Sequence, residues 1–383
     1  MSLAATKREE STRPGTFEVL AADGPARRGR LATAHGCFDT PAFMPVATQG
    51  TVKGLTPAQL RELGAQIVLS NAYHLSLRPG SQLIRDLGGL HRFMGWDGPI
   101  LTDSGGYQIF SLAALRKISD AGVEFRSHVD GAAIFLSPED VVRIQVDLGV
   151  DIIMVLDECA PGESSRDEAQ RAAERSFAWA ERCRATATGD GQLMFGIVQG
   201  GIYPELRVAN ARKLVTLNFP GYAVGGLSVG EDRAITMAVA EGTVAELPSN
   251  RPRYLMGVGL PEDLIRFVNM GYDMFDCVLP TRNGRNGMLF TSRGKLNVRL
   301  ARYARDERPA DPDCTCYSCR SFSRAYLRHL SQTNEMLGGA MASLHNLHFY
   351  QTLMREMRAA IEANRLAAWS SVALVQLNEG IDA

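Results

Sequence analysis

The sequence contains no apolar run long enough to cross a membrane, and its start, Met1–Gly15, lacks the apolar segment of a secretory signal. We therefore expect a cytoplasmic protein that does not enter a membrane. The seven cysteines are an odd number, and three of them crowd into Cys314–Cys319. This pattern argues against a disulfide framework and favours reduced thiols that hold a metal.

Net charge is also nearly absent. A formal value of −1 excludes a protein that binds nucleic acid through a uniformly basic surface. The charge is unevenly distributed, however, because eight lysines and arginines stand against two acidic residues between Arg282 and Arg308. This run predicts a basic surface beside an acidic cleft, suited to a phosphodiester backbone. The alternative is a solvated helical face, which is the usual meaning of a charge run.

The chain of 383 residues, 45% hydrophobic and 22% charged, can bury a full core. Short strands and turns are expected from Thr16 to about Asp39 as an N-terminal cover. Eight apolar segments then alternate with amphipathic patterns, which is typical of a parallel sheet covered on both faces. The predicted strands are Pro41–Thr48, Ile67–Leu75, Ile100–Gly106, Asp151–Glu158, Leu193–Gly201, Tyr222–Glu231, Arg253–Gly259 and Met274–Thr281. The predicted helices are Thr56–Leu63, Ser137–Leu148, Arg166–Arg184, Glu205–Leu217, Asp232–Leu247 and Pro261–Asn269.

Eight such units favour a closed (β/α)8 TIM barrel. No Gly-rich phosphate fingerprint follows the first strand, which disfavours an open doubly wound sheet. Polar or glycine residues end five separate predicted strands, on the face where barrel active sites lie. They are Asp103, Asp157, Gln199, Gly226 and Asp276.

The eighth helix of the barrel is delayed. About seventy residues separate Asp276 from the next long amphipathic pattern, His345–Ala368. We therefore expect one catalytic barrel domain over residues 1–383, with a zinc-binding subdomain, residues 282–345, inserted between strand eight and helix eight.

The cysteine cluster predicts a metal site within this insertion. Cys314, Cys316 and Cys319 supply three thiols, and His345, at the expected start of the last helix, is the preferred fourth ligand over His348 and His329. Three thiolates and one imidazole would close a tetrahedral zinc site with no open position, which is structural rather than catalytic. The alternative is three free cysteines on a loop.

The strand-end residues suit recognition of a purine edge. A carboxylate such as Asp157 accepts from a ring N–H and an exocyclic amine, whereas the Gln199 amide and a backbone N–H near Gly226 donate to a carbonyl. That pattern selects guanine over adenine. Tyr107 offers a flat face for stacking, and the two preceding glycines allow a ligand to approach the backbone closely. The alternative for each aspartate alone is a helix cap or loop anchor.

Phe275–Gly287 is the stretch around which the chemistry is organised. It is predicted to begin as a strand and to end as a polar loop that carries Arg282 and Arg285, two fixed cations suited to phosphate. Asp276 and Asp103 together suit displacement at an anomeric carbon, where one carboxylate attacks and the other carries protons. Crowded acids are also expected to raise a pKa, which suits the proton carrier. The alternative is an aspartate that caps its own loop, with surface arginines beyond.

A set of long motifs, in order from about Phe43 to His345, resembles bacterial-type tRNA-guanine transglycosylases. The motifs are DSGGYQ, VLDEC, VQGG, GGLSVGE, FDCVLPTRNGRNG and C-x-C-x2-C followed by a histidine. The resemblance implies a (β/α)8 barrel with a structural Zn2+, a homodimer, and a pentosyltransferase of queuosine biosynthesis. The implied reaction exchanges guanine at the anticodon wobble position of tRNA for a 7-deazaguanine base, here 7-aminomethyl-7-deazaguanine.

The resemblance also implies roles for individual residues. Asp276 would be the nucleophile on ribose C1′ and Asp103 the general acid/base. Asp157, Gln199 and Gly226 would bind the base, and Tyr107 and Met256 would cover its two faces. Arg282 and Arg285 would contact the nucleotides that flank the exchanged base in the anticodon loop. The implied zinc ligands are Cys314, Cys316, Cys319 and His345.

Discrimination between replacement bases would occur at their seven-position substituent. The carbonyl of Leu227 would accept from the aminomethyl group, and Cys159 closes the pocket at the end of strand four. Val229, a stiff β-branched residue, would exclude the bulkier queuine.

Two alternatives belong to other classes. One is a non-catalytic tRNA-binding partner subunit of a transglycosylase, against which the presence of both Asp103 and Asp276 argues. The other is a zinc hydrolase on a barrel, which would need an open coordination position at the metal.

Overall fold

The computed structural model describes residues 13–107 and 116–382. Most of the polar N-terminal stretch, and Gln108 at the end of the DSGGYQ motif, lie outside the described residues. Within them, no helix combines the length and apolarity needed to cross a bilayer.

The centre of the fold is a ring of parallel strands. The first barrel strand is interrupted at Pro45: its first half pairs with the eighth strand and its second half pairs with the second strand, so the ring closes. This arrangement confirms the predicted TIM barrel. Numbered one to eight along the chain, the barrel strands are Ala42–Met44 with Val46–Ala47, Val68–Asn71, Ile100–Asp103, Ile152–Met154, Leu193–Val198, Gly221–Val224, Arg253–Leu255 and Met274–Asp276.

Each observed strand lies within or close to a predicted segment but ends earlier. The reason is physical, because residues after seven of the eight strands leave the ladder and line a cavity at the C-terminal end of the barrel. Apolar sequence therefore continues beyond the hydrogen-bonded ladder.

Helices surround the ring, and several begin at strong capping signals. Thr56, Ser137 and Ser165 each form a capping box with the residue three positions later, which satisfies backbone N–H groups that a helix start leaves open. The described helices up to strand eight are Pro57–Glu62, Ala72–Leu77, Ser81–Asp86, Gly89–Met94, Pro138–Leu148, Arg166–Ala185, Pro204–Val215, Arg233–Val244 and Pro261–Asn269.

Two three-stranded antiparallel sheets flank the barrel. The N-terminal sheet (Phe17–Asp23, Ala26–Thr33 and Gly36–Thr40) is the expected cover, and it is fixed to the N-terminal ends of the barrel strands. There Arg27 pairs with the fully buried Asp273, and the backbone N–H of His35 donates to Asp151 at 2.9 Å. The second sheet (Arg116–Ser119, Gly122–Arg126 and Ala133–Leu136) follows barrel strand three and was not predicted from the sequence.

The segment after strand eight differs from the prediction in two places. The expected polar loop is a short helix, Leu279–Arg285, with Pro280 in its first turn. His345 does not open the last helix but lies well inside a long helix, Met336–Glu362. Within that helix, the bare backbone of Gly338 packs against Leu330, because a Cβ at this position would lie 2.9 Å from the Leu330 Cβ.

The insertion and C-terminal region contain the remaining elements. A hairpin, Met288–Thr291 with Gly294–Asn297, leads to a 3-10 turn, Ala301–Tyr303, and to the helices Tyr317–Ser321 and Arg324–Gln332. After Met336–Glu362, Asn364 takes a left-handed conformation (φ 50°) that separates a last helix, Leu366–Glu379.

Candidate active site and metal centre

A cavity of about 340 Å³ lies at the C-terminal end of the barrel, and we call it the active-site cavity. It collects residues from the ends of seven barrel strands, as the position of active sites in this fold requires. Its lining includes most residues singled out from the sequence: Asp103, Tyr107, Asp157, Cys159, Gly226, Leu227, Val229, Met256 and Asp276.

Asp276 lies at the end of strand eight with one carboxylate oxygen anchored. The Tyr254 hydroxyl donates to Oδ1 at 2.5 Å and the Gly257 N–H donates to the same atom at 2.9 Å. Within the described residues, Oδ2 has no hydrogen-bond partner. Burial raises the pKa of this carboxyl group above its usual value, while the two hydrogen bonds oppose that rise. This rise comes from burial rather than from a crowded acid, and Asp276 is not the residue that was expected to carry the proton.

Asp103 ends strand three and is held by the neighbouring strand. Asn71 Nδ2 donates to Oδ2 at 2.6 Å, and the Ala72 N–H donates to Oδ1 at 3.2 Å. Asn71 also caps the next helix, because its Oδ1 accepts from the His74 N–H. Since that oxygen is already used, the amide can present only its NH2 group to Asp103.

Asp157 lies at the end of strand four, 7% exposed. Gln199 Nε2 donates to its Oδ2 at 2.6 Å, and the Ser104 hydroxyl donates to Oδ1 at 3.3 Å. Burial raises its pKa to about 6, because these hydrogen bonds compensate only part of the lost hydration. Gln199 is not among the lining residues of the cavity, but it fixes Asp157 from behind.

Two positions in the cavity wall require glycine, because side-chain oxygens of neighbouring residues lie very close to the backbone there. A Cβ at Gly106 would lie 2.7 Å from Asp157 Oδ1, and one at Gly226 would lie 2.4 Å from Gln199 Oε1. Gly226 also has φ 63°, which favours glycine. The wall of the cavity beside Asp157 and Gln199 therefore has no room for larger residues at these two points.

The other walls are apolar or aromatic. Tyr107 is 52% exposed at the mouth, Met256 is half-buried, and both line the same cavity. The loop after strand six brings Leu227 and Val229 to the wall, and Glu231 accepts from the N–H groups of Ser228 and Val229, the latter at 2.9 Å. This carboxylate therefore fixes the shape of the loop.

Arg282 and Arg285 are exposed on the helix that follows Asp276. The basic run they begin is partly neutralised, because Arg308 pairs with Asp306 and Arg302 pairs with Asp382. The remaining six cations of the run have no ion pair within the described residues.

The three cysteines of the insertion converge on His345. Cys314, Cys316 and Cys319 place their sulfurs 3.6, 3.6 and 3.2 Å from His345 Nδ1. In a tetrahedral zinc site, sulfur and nitrogen ligands lie about 3.5 Å apart, so the four donors fit Zn2+. His345 Nε2 donates to the Phe290 carbonyl at 2.8 Å, which leaves Nδ1 free as a ligand.

The alternative histidines fit less well. His348 Nδ1 lies 3.4 Å from Cys314 but is not part of the group whose donor atoms all lie within 4.8 Å of one another. His329 stacks on Tyr326 instead. The four donors are also not among the residues that line the active-site cavity, so a metal ion held by them would lie outside that cavity.

Several residues that hold this site were not found from the sequence. Asn71 had an available signal, because it ends strand two as Asp103 ends strand three. Tyr254 lies inside an apolar strand, where a side chain in the hydrophobic core is expected. Arg207 lies on an amphipathic helix, where an arginine is expected to face solvent. Only the fold shows that both point towards the active-site region.

Comparison with known proteins agrees with this arrangement. The family model described as Queuine tRNA-ribosyltransferase matches residues 23–378. A protein of that name from Solidesulfovibrio magneticus is 55% identical over 93% of this chain and 96% of its own length. A protein of the same name from Pelotomaculum thermopropionicum is 56% identical over 89% of this chain and 92% of its own length. One from Acidithiobacillus ferrooxidans is 55% identical over 92% of this chain and 95% of its own length.

Proposed function

The chain belongs to the queuine tRNA-ribosyltransferase family, and from that premise we propose that it exchanges guanine at the wobble position of tRNA for 7-aminomethyl-7-deazaguanine through a covalent aspartyl-ribose intermediate. Members of the family are pentosyltransferases, and the activity is that of a tRNA-guanine transglycosylase. The observation that carries the finer proposal is the joint presence of Asp276, Asp103 and Asp157 in one cavity.

Asp276 is the proposed nucleophile. Because Tyr254 and Gly257 both bind Oδ1, the lone pairs of Oδ2 remain available to attack ribose C1′. The Oδ2–C1′ bond forms as the bond from C1′ to the guanine nitrogen breaks, and the departing base takes that electron pair. In the ester, Oδ1 becomes the carbonyl oxygen and keeps its two donors.

Asp103 is the proposed proton carrier. It protonates the departing guanine, then takes the ring proton of the incoming base as that base attacks C1′ and releases the Asp276 carboxylate. The amide of Asn71 and the N–H of Ala72 position the carboxylate for both transfers.

Recognition of the base is assigned to residues that follow strands four and six. The Asp157 carboxylate would accept from the ring N–H and exocyclic amine of guanine, while the Gly226 N–H would donate to the carbonyl. Gln199, expected from the sequence to donate to the same carbonyl, donates to Asp157 in the structure and would reach the base only by giving up that contact. Tyr107 and Met256 would cover its two faces. Only the ionised form of Asp157 can accept both hydrogens, so its raised pKa predicts weaker base binding below about pH 6.

The loop after strand six supports an aminomethyl base. Glu231 binds the Ser228 N–H, and in a trans peptide the Leu227 carbonyl points the opposite way. That carbonyl can accept from an ammonium group, whereas the branched Val229 limits space for the ring of queuine.

Val229→Gly tests the identity of the base. It should admit queuine as a competitor of labelled guanine, while Ser228→Gly, in the same loop at φ 58°, should behave as wild type. Equal use of queuine and the aminomethyl base by the wild-type protein would overturn the assignment.

The tRNA is proposed to lie across Arg282, Arg285 and the unpaired cations of the basic run, with its anticodon loop over the cavity. The four-donor cluster is proposed to hold a structural Zn2+ that stabilises the zinc-binding subdomain, residues 282–345. This assignment requires no metal chemistry at the base.

A homodimer in the cytoplasm completes the proposal. Exposed apolar side chains on the insertion and the start of the long helix support an interface: Tyr317 is 53% exposed, Tyr326 40% and Met336 91%. Light scattering of the purified protein would test it, and a monomer at micromolar concentration would contradict it.

A further inference from the structure

Arg207 is a fully buried cation that none of the proposed steps uses. It projects from the helix Pro204–Val215, and its Nε donates to the Gly201 carbonyl at 2.6 Å. Its two terminal nitrogens donate to the carbonyls of Gly225 and Gly226, each at 2.9 Å. Within the described residues it has no carboxylate partner, although burying an unpaired charge is costly. Burial lowers its pKa to about 10, so it stays charged at neutral pH.

The contacts of Arg207 fix the direction of two peptide units. In a trans peptide the C=O and N–H bonds point in opposite directions. The carbonyls of Gly225 and Gly226 point at Arg207, so the N–H groups of Gly226 and Leu227 point away from it. Gly225, Gly226 and Leu227 line the active-site cavity, whereas Arg207 does not. The two N–H groups therefore face the side where the base would bind.

We propose that Arg207 is a positioning residue that polarises this pair of N–H donors so that they stabilise negative charge on the departing base. The inference rests on the proposed base exchange. As C1′ bonds to Asp276, the electron pair of the broken bond passes to the purine and spreads to its 6-oxo oxygen. Donors aimed at developing charge lower a barrier more than donors aimed at the neutral ground state. The ligand class is a purine or deazapurine with a 6-oxo group.

The position of the cation suits this role. A guanidinium at the far end of a peptide withdraws electron density through the carbonyl, which strengthens the N–H at the near end. Glu231 holds the following N–H groups of Ser228 and Val229, so the loop is clamped on both sides. The donors are thus prearranged before the base leaves.

The test compares leaving bases. RNA stem-loops carrying guanine or the more acidic 8-azaguanine at the target position are assayed with wild type, Arg207→Met and Arg207→Lys. Removing one direct oxyanion donor lowers kcat by about a hundredfold to a thousandfold. Since the peptide donors remain, Arg207→Met should lower kcat for guanine release between about tenfold and a hundredfold, with KM for RNA nearly unchanged. The loss should be several times smaller for 8-azaguanine, which needs less stabilisation.

Arg212→Gln is the matched control, because Arg212 lies on the same helix but pairs with Glu246 at the surface. Its exchange rate should match wild type, and inactivity of both proteins would refute the proposed function rather than this inference. An equal loss for both bases, or wild-type kcat, in a folded Arg207 variant would overturn it. If Arg207→Met does not fold, Arg207→Lys serves as the test variant. Lysine keeps the positive charge but cannot bind both glycine carbonyls at once. Its loss of kcat should again be larger for guanine than for 8-azaguanine, but smaller overall than the loss expected for Arg207→Met.

Discussion

Replacing Asp157 by asparagine should raise the free energy of unfolding and lower the rate of base exchange. The carboxylate is buried, and its pKa is raised from a usual value of 3.8 to about 6. The folded protein therefore binds this proton more tightly than the unfolded chain, and the resulting stability is lost as the pH rises through about 6. A tenfold change in proton affinity is worth about 1.4 kcal/mol, so the charged group costs about 3 kcal/mol well above pH 6.

An asparagine side chain at this position would avoid that cost and keep the local hydrogen bonds. Its oxygen can accept from Gln199, and its NH2 group can donate to the Ser104 hydroxyl, which both donates and accepts. We expect Asp157→Asn to unfold with a free energy up to about 3 kcal/mol higher at pH 8, and the advantage should shrink by about 1 kcal/mol or more at pH 5. Base exchange should fall sharply, because the amide cannot accept two hydrogens from guanine.

Urea unfolding of wild type, Asp157→Asn and the exposed control Asp190→Asn at both pH values measures this difference. A stability advantage that does not change with pH would show that burial of the carboxylate is not its source. Retained exchange in the Asp157→Asn variant would contradict the assignment of Asp157 to the base.

Three further outcomes are expected. Tyr254→Phe removes one hydrogen-bond donor from the Asp276 carboxylate, which makes that carboxylate a poorer leaving group. Exchange should therefore slow by about tenfold to a hundredfold, and the covalent intermediate should accumulate. An unchanged level of the intermediate would contradict this role of Tyr254. Cys316→Ser should lose zinc by metal analysis and lower the melting temperature, whereas Cys37→Ser, at an exposed thiol, should do neither; a metal-free wild type would refute the site. Affinity for tRNA should fall with salt along a log–log slope of up to about −4 to −5, because each of the six unpaired cations that neutralises a phosphate contributes about −0.7 to −0.9; a flat dependence would assign the basic run to solvent.

The barrel could be predicted from the sequence because eight apolar segments alternate with capped helices and leave little choice of topology. The same topology predicted that Asp103, Asp157 and Asp276 lie together at the C-terminal end of the barrel, because each follows or ends a parallel strand. No information about side-chain contacts was needed for that prediction. Tyr254 and Arg207 could not be predicted, because their roles come from tertiary contacts rather than from local pattern. Tyr254 contacts Asp276 on the neighbouring strand, and Arg207 reaches from a helix to the loop after strand six. The start of the long helix was misplaced, because the amphipathic pattern was taken to begin at His345 whereas the helix begins at Met336.

The central claim is that Asp276 bonds covalently to ribose while Asp103 carries the proton. The direct measurement is mass spectrometry of the protein after a reaction with unmodified tRNA is quenched in denaturant and digested. The account predicts a ribose ester on the peptide that contains Asp276, absent from Asp276→Asn, which should still bind tRNA through Arg282 and Arg285. An adduct on Asp103, or exchange of labelled guanine by Asp276→Asn, would contradict it.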